Sequence, residues 1–296
     1  MNRRDFLAGA ATGMASAGFV GIAGKAILGR SVSAVASPVA PATPDAGTRH
    51  TKAAPPVATT YKGRVSFAQQ GEDLVLYNLL HHVLKLENPS YLDIGAGDPV
   101  LSNNTFALYG TGSRGVLVEP NPTLIEKLKS VRPGDVVVNA GVGVTDTSEA
   151  DYYVIRDQWP LNTFSPEDVA ILRKRYKEDP VEKVIKMPLI QINRLIAEHF
   201  ETAPDLLSID IEGLDLDVLR SMNFKAHRPA TICAETKKPW ESHDSTPVAR
   251  FLRTRRYVPC AGSLYNTIFA DGVRLAAAQR AGQGSGRIAC RDARGL

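Results

Sequence analysis

The feature that most restricts this chain is a series of short apolar runs, several of them stopped by glycine or proline. Tyr91-Leu92-Asp93-Ile94 opens into Gly95-Ala96-Gly97, and Gly115-Val116-Leu117-Val118-Glu119 stops at Pro120 and Pro122. Val136-Val137-Val138, Leu206-Leu207-Ser208-Ile209-Asp210-Ile211 and Thr231-Ile232-Cys233-Ala234-Glu235 are three more such runs. Runs this short and this continuously apolar read as strands buried on both faces. Between and around them lie stretches of helical spacing: Ser66 to Leu86, Thr123 to Val131, Leu214 to Met222 and Pro247 to Arg255. Alternation of this kind predicts an α/β fold, a mostly parallel central sheet with helices on both faces. Tyr257 to Cys260 and Asn266 to Ala270 are read as a closing C-terminal antiparallel strand pair.

A longer insertion, Ala150 to Leu189, separates the third and fourth strands. It holds Tyr152-Tyr153-Val154-Ile155, an edge strand by its pattern, and a basic helix from Pro166 to Lys177. There is no internal repeat. A Gly, Ala and Arg-rich tail is read from 276 to 296.

The N-terminus reads as an address. Asn2-Arg3-Arg4-Asp5-Phe6-Leu7 precedes a weakly apolar, Gly/Ala-rich stretch, and Ala34-Val35-Ala36 offers small residues to a signal peptidase. The arginine pair followed by Phe-Leu is similar to a twin-arginine export signal over 1–36, read by machinery that moves folded cargo. Such a protein is expected to be periplasmic or signal-anchored, and cytoplasmic if the signal does not function. Residues 37–60 carry Pro38, Pro41, Pro44, Pro55 and Pro56 among Ala and Thr with no aromatic residue, the composition of a disordered linker. The folded domain is therefore expected over 61–275.

Charge narrows the partners. The formal net charge is +4, but four basic residues and one acid fall in the first 36 positions, leaving 31 basic against 30 acidic residues. A near-neutral domain lacks the basic surplus with which proteins neutralise nucleic-acid phosphates, so no nucleic acid is expected as partner. Cys233, Cys260 and Cys290 stand 27 and 30 residues apart, without metal-ligand spacing, and read as small apolar side chains.

Gly95-Ala96-Gly97 stands at the carboxyl end of the first strand, where open parallel sheets bind ligands. Glycine there lets the backbone approach a ligand closely. A nicotinamide fingerprint would need a third glycine where Val100 stands, so that reading, and a nucleotide-sugar enzyme with it, is disfavoured. Glu119, closing the second strand, is placed to accept the hydroxyls of a ribose.

Taken in order, Asp93-Ile94-Gly95-Ala96-Gly97, Val118-Glu119-Pro120-Asn121-Pro122 and Ser208-Ile209-Asp210-Ile211-Glu212-Gly213 resemble the FkbM family of methyltransferases. Ser66 to Asp73, Ser102-Asn103-Asn104-Thr105 and Leu161-Asn162-Thr163-Phe164-Ser165 extend the resemblance from Ser66 to Phe269. It implies a Rossmann-like class I methyltransferase fold and S-adenosylmethionine as cofactor. Asp93, Gly95, Ala96, Gly97 and Glu119 would bind that cofactor, with Asn139 near the adenine. The implied reaction is methylation of a hydroxyl on a saccharide or related small molecule. The chain departs from the family at Asp98-Pro99, where an asparagine is common at position 98.

Methyl transfer to oxygen profits from a base at the acceptor hydroxyl. Asp210 and Glu212 stand two apart at the end of a strand, on one side of it by the period of the pleat, and are the candidate catalytic pair. They could instead hold a divalent cation, or Glu212 could join Asp215 and Asp217 in favouring the positive end of the following helix. His81-His82, His199, His227 and His243 read as structural or exposed, and the Arg173-Lys174-Arg175 and Arg253-Thr254-Arg255-Arg256 runs as solvated helix faces. Trp159 and Trp240 are the residues for stacking on a sugar ring, or for burial. A rival reading, prompted by the export signal, is an exported binding or assembly protein that keeps the fold without turnover.

Overall fold

The computed structural model describes residues 64–211, 213–236 and 246–281. The export signal, the linker, Glu212, Trp240, His243 and the tail beyond 281 lie outside the described residues.

The chain enters through helix α1 (Glu72–Tyr77), which widens into a π-helical turn over Asn78–Val83. Strand β1 (Tyr91–Ile94), helix α2 (Phe106–Gly110), β2 (Gly115–Val118), α3 (Pro122–Val131) and β3 (Val136–Val138) follow. Strand β4 (Gly141–Gly143) comes before the insertion, whose region holds β5 (Glu149–Ile155), a 3-10 turn (Trp159–Leu161), α4 (Pro166–Arg175) and β6 (Val181–Gln191). Helix α5 (Ile192–His199) leads to β7 (Leu206–Ile209), α6 (Asp215–Ser221), β8 (Thr231–Glu235) and α7 (Pro247–Thr254). Strands β9 (Tyr257–Gly262) and β10 (Asn266–Asp271) and helix α8 (Gly272–Ala281) complete the domain.

The seven-stranded sheet runs β3-β2-β1-β7-β8-β10-β9. β1 is parallel to β2 and to β7, β7 to β8, and β2 to β3, while β10 is antiparallel to both β8 and β9. Strand order reverses between β1 and β7, and in open sheets that switch point is where the crevice opens. The expected parallel sheet with its C-terminal antiparallel pair is the observed one.

Period-2 alternation sends successive side chains to opposite faces, and the core divides accordingly. Leu92, Ile94, Val116, Leu207, Ile209 and Ile232 pack on one face against Ile192 and Leu195 of α5, Val218 of α6 and Leu252 of α7. Tyr91, Leu117, Leu206 and Cys233 pack on the other, against Leu76, Leu80, Leu108, Leu128 and Leu275. Each fully buried leucine or isoleucine contributes about 1.5–3 kcal/mol, which is why both faces must be covered.

The insertion is more regular than its sequence indicates. β5 pairs antiparallel with β6, β4 pairs parallel with β6, and β5 forms an edge of this three-stranded sheet, as its pattern predicts. The eleven-residue β6 is unmarked in sequence because Glu182, Lys183 and Lys186 interrupt its apolar run on exposed positions. Helix α8 runs to Ala281, so the tail read from 276 begins inside a helix. No helix among the described residues is long and apolar enough to cross a membrane.

Candidate functional site

The turn after β1 is held open by backbone geometry. Gly95 and Gly97 adopt φ of 81° and 58°, the left-handed region that favours glycine. The N–H groups of Gly95 and Ala96 both donate to the carbonyl of Val118, at 2.9 and 3.2 Å, tying the turn to β2. A Cβ on Gly95 would lie 2.2 Å from the carbonyl oxygen of Asp210. The first glycine is therefore demanded by the close approach of the β7 exit.

Beneath the turn lies a buried polar network. Asn103 donates from its amide to the carbonyls of Ala96 (3.0 Å) and Asp98 (3.2 Å). Its carbonyl accepts the N–H groups of Thr105 and Phe106 and the guanidinium of Arg132. Arg132 is fully buried and reaches Asp135 at 2.7 Å, the Thr105 hydroxyl at 3.0 Å and the Tyr91 hydroxyl at 2.9 Å. Asp93 accepts from Thr105 at 2.7 Å and from Ser208. Burial raises its proton affinity, and the Arg132 charge and these hydroxyls pull it back. The sequence reading gives Asp93 to the cofactor, whereas its side chain is committed to this brace and does not line the cavity described next. Asp98, the departure from the family pattern, accepts the N–H groups of Val100 and Leu101 and pairs with Lys127. Its partial burial works against ionisation, but the Leu101 N–H, Lys127 and the Val100 N–H prevail and hold it below the usual carboxylate range.

A cavity lies at the carboxyl ends of β1 and β2. Ile94, Gly95, Val118 and Pro120 form its floor side, Ala140, Gly141 and Val142 one wall, and Phe164, Ile211 and Leu214 the others. Glu119 follows β2 beside Val118 and Pro120. It is 6% exposed, and its two oxygens accept the N–H groups of Gly97 (2.8 Å) and Asn121 (2.7 Å). Burial pushes its pKa up to about 7, opposed by those two N–H groups and assisted by the charge of Asp93. Asn139, expected near an adenine, instead donates to the carbonyls of Glu119 (2.8 Å) and Pro120 (3.1 Å). Its polar hydrogens hold the β2 turn, and the wall is made by Ala140, Gly141 and Val142 behind it.

On the β7 side, the backbone N–H of Asp210 donates to the Ile94 carbonyl at 3.1 Å, extending the β1–β7 ladder by one residue. Asp210 thus stands at the switch point beside Gly95, as its position in sequence predicts, while Glu212 lies outside the described residues. Asp215, expected to serve helix α6 alone, is 3% exposed and close enough to Asp210 and Glu235 to feel both charges. Burial first, and then those two acids, raise its pKa well above the usual range. Its Oδ2 accepts the Gly213 N–H at 3.2 Å, and its Oδ1 has no hydrogen-bond partner among the described residues. Asp217, by contrast, is half exposed and paired with Arg220, a solvated helix-face residue.

Ile211, Leu214 and Phe164 line the cavity without being candidates from sequence, and Trp159 stands near Gly97. Phe164 belongs to a motif of the resemblance, which is the signal that could have found it. Nothing in the local spacing places Trp159 beside a turn 62 positions earlier.

Residues 93–259, more than half of the chain, match the family described as the methyltransferase FkbM domain. The chain belongs to this family. No curated protein matches it. Among solved structures, this FkbM-domain chain is similar to TehB from Haemophilus influenzae, at 8% identity and a TM-score of 0.37 over 70% of this chain and 63% of that one. It thus spans less than two thirds of that protein's length. It is similar also to a TehB-like SAM-dependent methyltransferase from Corynebacterium glutamicum, at 13% identity and a TM-score of 0.34 over 69% of this chain and 88% of that one. An RNA methyltransferase from Salinibacter ruber, in complex with S-adenosyl-L-homocysteine, aligns at 12% identity and a TM-score of 0.30 over 67% and 86%. Among the described residues no group of three or more His, Cys, Asp or Glu is arranged to hold a metal ion.

Proposed function

We propose that this FkbM-domain protein is an S-adenosylmethionine-dependent methyltransferase that methylates a hydroxyl on a saccharide or related small molecule. The observation that carries the reading is the apolar cavity at the ends of β1 and β2, lined by Gly95 of the glycine turn, with Glu119 between the lining residues Val118 and Pro120 and bonded to the turn at Gly97. A purine suits walls made of Val118, Val142, Phe164 and Leu214, and a ribose suits an acid that still has lone pairs after accepting two N–H groups. The residues present therefore fit the cofactor.

Gly95, Ala96 and Gly97 would hold its amino-acid portion, Glu119 its ribose, and the cavity its base. When bound, the cofactor supplies an electrophilic methyl group for in-line displacement by an oxygen. Asp210, at the switch point beside Gly95, would take the proton of the acceptor hydroxyl, while the cofactor's sulfur would leave as a neutral thioether. Ordering of the β1 turn by Asn103 and Arg132 keeps the cofactor and Asp210 in register, the part of catalysis that comes from position.

Calorimetry with S-adenosylmethionine, S-adenosylhomocysteine and NAD tests the assignment. The first two bind and NAD does not, and Glu119→Ala weakens binding about ten- to hundredfold, the scale of a lost charge-assisted hydrogen bond. Equal heats for all three ligands, or none, would overturn it. Export through the twin-arginine machinery belongs to the same proposal. Exchanging Arg3 and Arg4 for lysine should keep a reporter fusion in the cytoplasm, and undiminished periplasmic reporter would refute that route.

A further inference from the structure

The insertion brings a second aromatic residue to the glycine turn. Trp159 begins the 3-10 turn after β5, and a methyl group placed on Gly97 would lie 3.4 Å from its Cζ3 and 3.5 Å from its Cη2. The six-membered ring thus borders the space into which a side chain at the second glycine of the turn would project. Yet Trp159 remains 44% exposed. A tryptophan kept only for packing hides most of its surface, because that surface is the largest apolar area any residue can bury.

The turn that carries it is pinned. Asn162 accepts the N–H of Ile155 at 2.7 Å through its side chain, and Tyr153 and Thr163 exchange backbone hydrogen bonds at 2.9 and 3.2 Å. Two residues on from Asn162, Phe164 forms a wall of the cavity and packs on Tyr152 with ring centroids 4.7 Å apart. One short anchored segment therefore delivers Phe164 to the cavity and Trp159 to the rim of the same turn. Gly97 is also the residue whose N–H holds Glu119. The indole stands next to the turn that, on the proposed function, takes the cofactor's amino-acid portion, with its remaining surface open.

We propose that Trp159 is a cofactor-binding residue, whose exposed indole surface packs on S-adenosylmethionine and is covered when the cofactor binds. The inference rests on the methyltransferase reading above. It makes the insertion, as well as the Rossmann-like core, part of the cofactor site.

The chain has two tryptophans, Trp159 and Trp240, so the variant Trp240→Phe leaves Trp159 as the sole indole emitter. Titrating this full-length variant with S-adenosylmethionine and with S-adenosylhomocysteine should change its emission in step with the heat of binding. Trp159→Ala should weaken binding of S-adenosylmethionine about five- to thirtyfold, the range of an aromatic contact to a partly desolvated cationic ligand. Trp159→Phe, with a smaller ring in the same place, should recover most of that loss. If calorimetry finds tight cofactor binding while the Trp159 emission stays constant and Trp159→Ala binds like the parent, the inference is wrong and the function stands. If the parent protein binds neither compound, both fall together.

Discussion

Around the β1 turn, Asp93, Asp98 and Asn103 spend their polar atoms on near partners, and the buried Arg132 guanidinium is shared among Asp135, Asn103, Thr105 and Tyr91. At the end of β7 the plan is reversed. Asp215 is as buried as those groups, but its proton affinity is raised by two further acids, and one of its oxygens lacks a hydrogen bond among the described residues. The difference follows from what each half has to do. A loop that must present backbone to a ligand gains from a saturated network, which rigidifies it. A site that must take a proton needs carboxyls whose charge is not fully compensated, and it holds them at some cost in stability.

The largest effect is expected from breaking the saturated half. Arg132→Ala leaves Asp135 with a buried charge and strips a donor from Asn103, Thr105 and Tyr91 at once. Removing one partner of a buried ion pair costs about 3–5 kcal/mol, a large share of the stability of a domain this size. Urea denaturation measures it, and a loss under about 1 kcal/mol would mean that the network does not hold the turn.

Arg132 also marks where the sequence stops being readable. An arginine at the end of an amphipathic helix reads as a surface residue, and its partners Tyr91, Asn103 and Thr105 stand 41, 29 and 27 positions away. The strands were legible because burial on both faces writes a continuous apolar run, which needs no knowledge of partners. Helix α3 is written too, in the spacing of Leu124, Ile125 and Leu128. β6 is not, since half its positions face solvent. In the site, Gly95, Glu119 and Asp210 could be found from their places at strand ends. The real employment of Asp93 and Asn139 could not, because which atoms a polar side chain bonds depends on neighbours that only the fold brings near.

Next in size is the proton-taking half. Asp210→Asn is nearly isosteric and keeps the Ile94 hydrogen bond, which is made by backbone. Cofactor affinity should stay within a few fold, while turnover on a responsive hydroxylated acceptor falls about a hundredfold or more, the scale of acid–base assistance. A screen of saccharides with labelled cofactor supplies the acceptor. Wild-type turnover by the variant would move the chemistry elsewhere and leave Asp210 a strand-end residue.

The smallest effect separates the two halves by pH. The folded-state pKa of Asp215 is raised above its unfolded value of about 3.9, so its stabilising contribution is complete below that value. That contribution is lost as pH rises through the folded pKa, because the folded chain holds a proton that the unfolded chain has released. Asp215→Asn removes the ionisation and should gain on the wild type between about pH 5.5 and pH 8 in denaturation experiments, the direction set by the raised proton affinity of the folded state. Asp217→Asn is the control two residues along: its pair with Arg220 is exposed on both sides, so the change should stay within about 0.5 kcal/mol at both pH values. If Asp215→Asn and Asp217→Asn show the same pH trend, the buried acid is compensated by partners outside the described residues. The β7 side would then be as saturated as the β1 turn, and the contrast between the two halves would disappear.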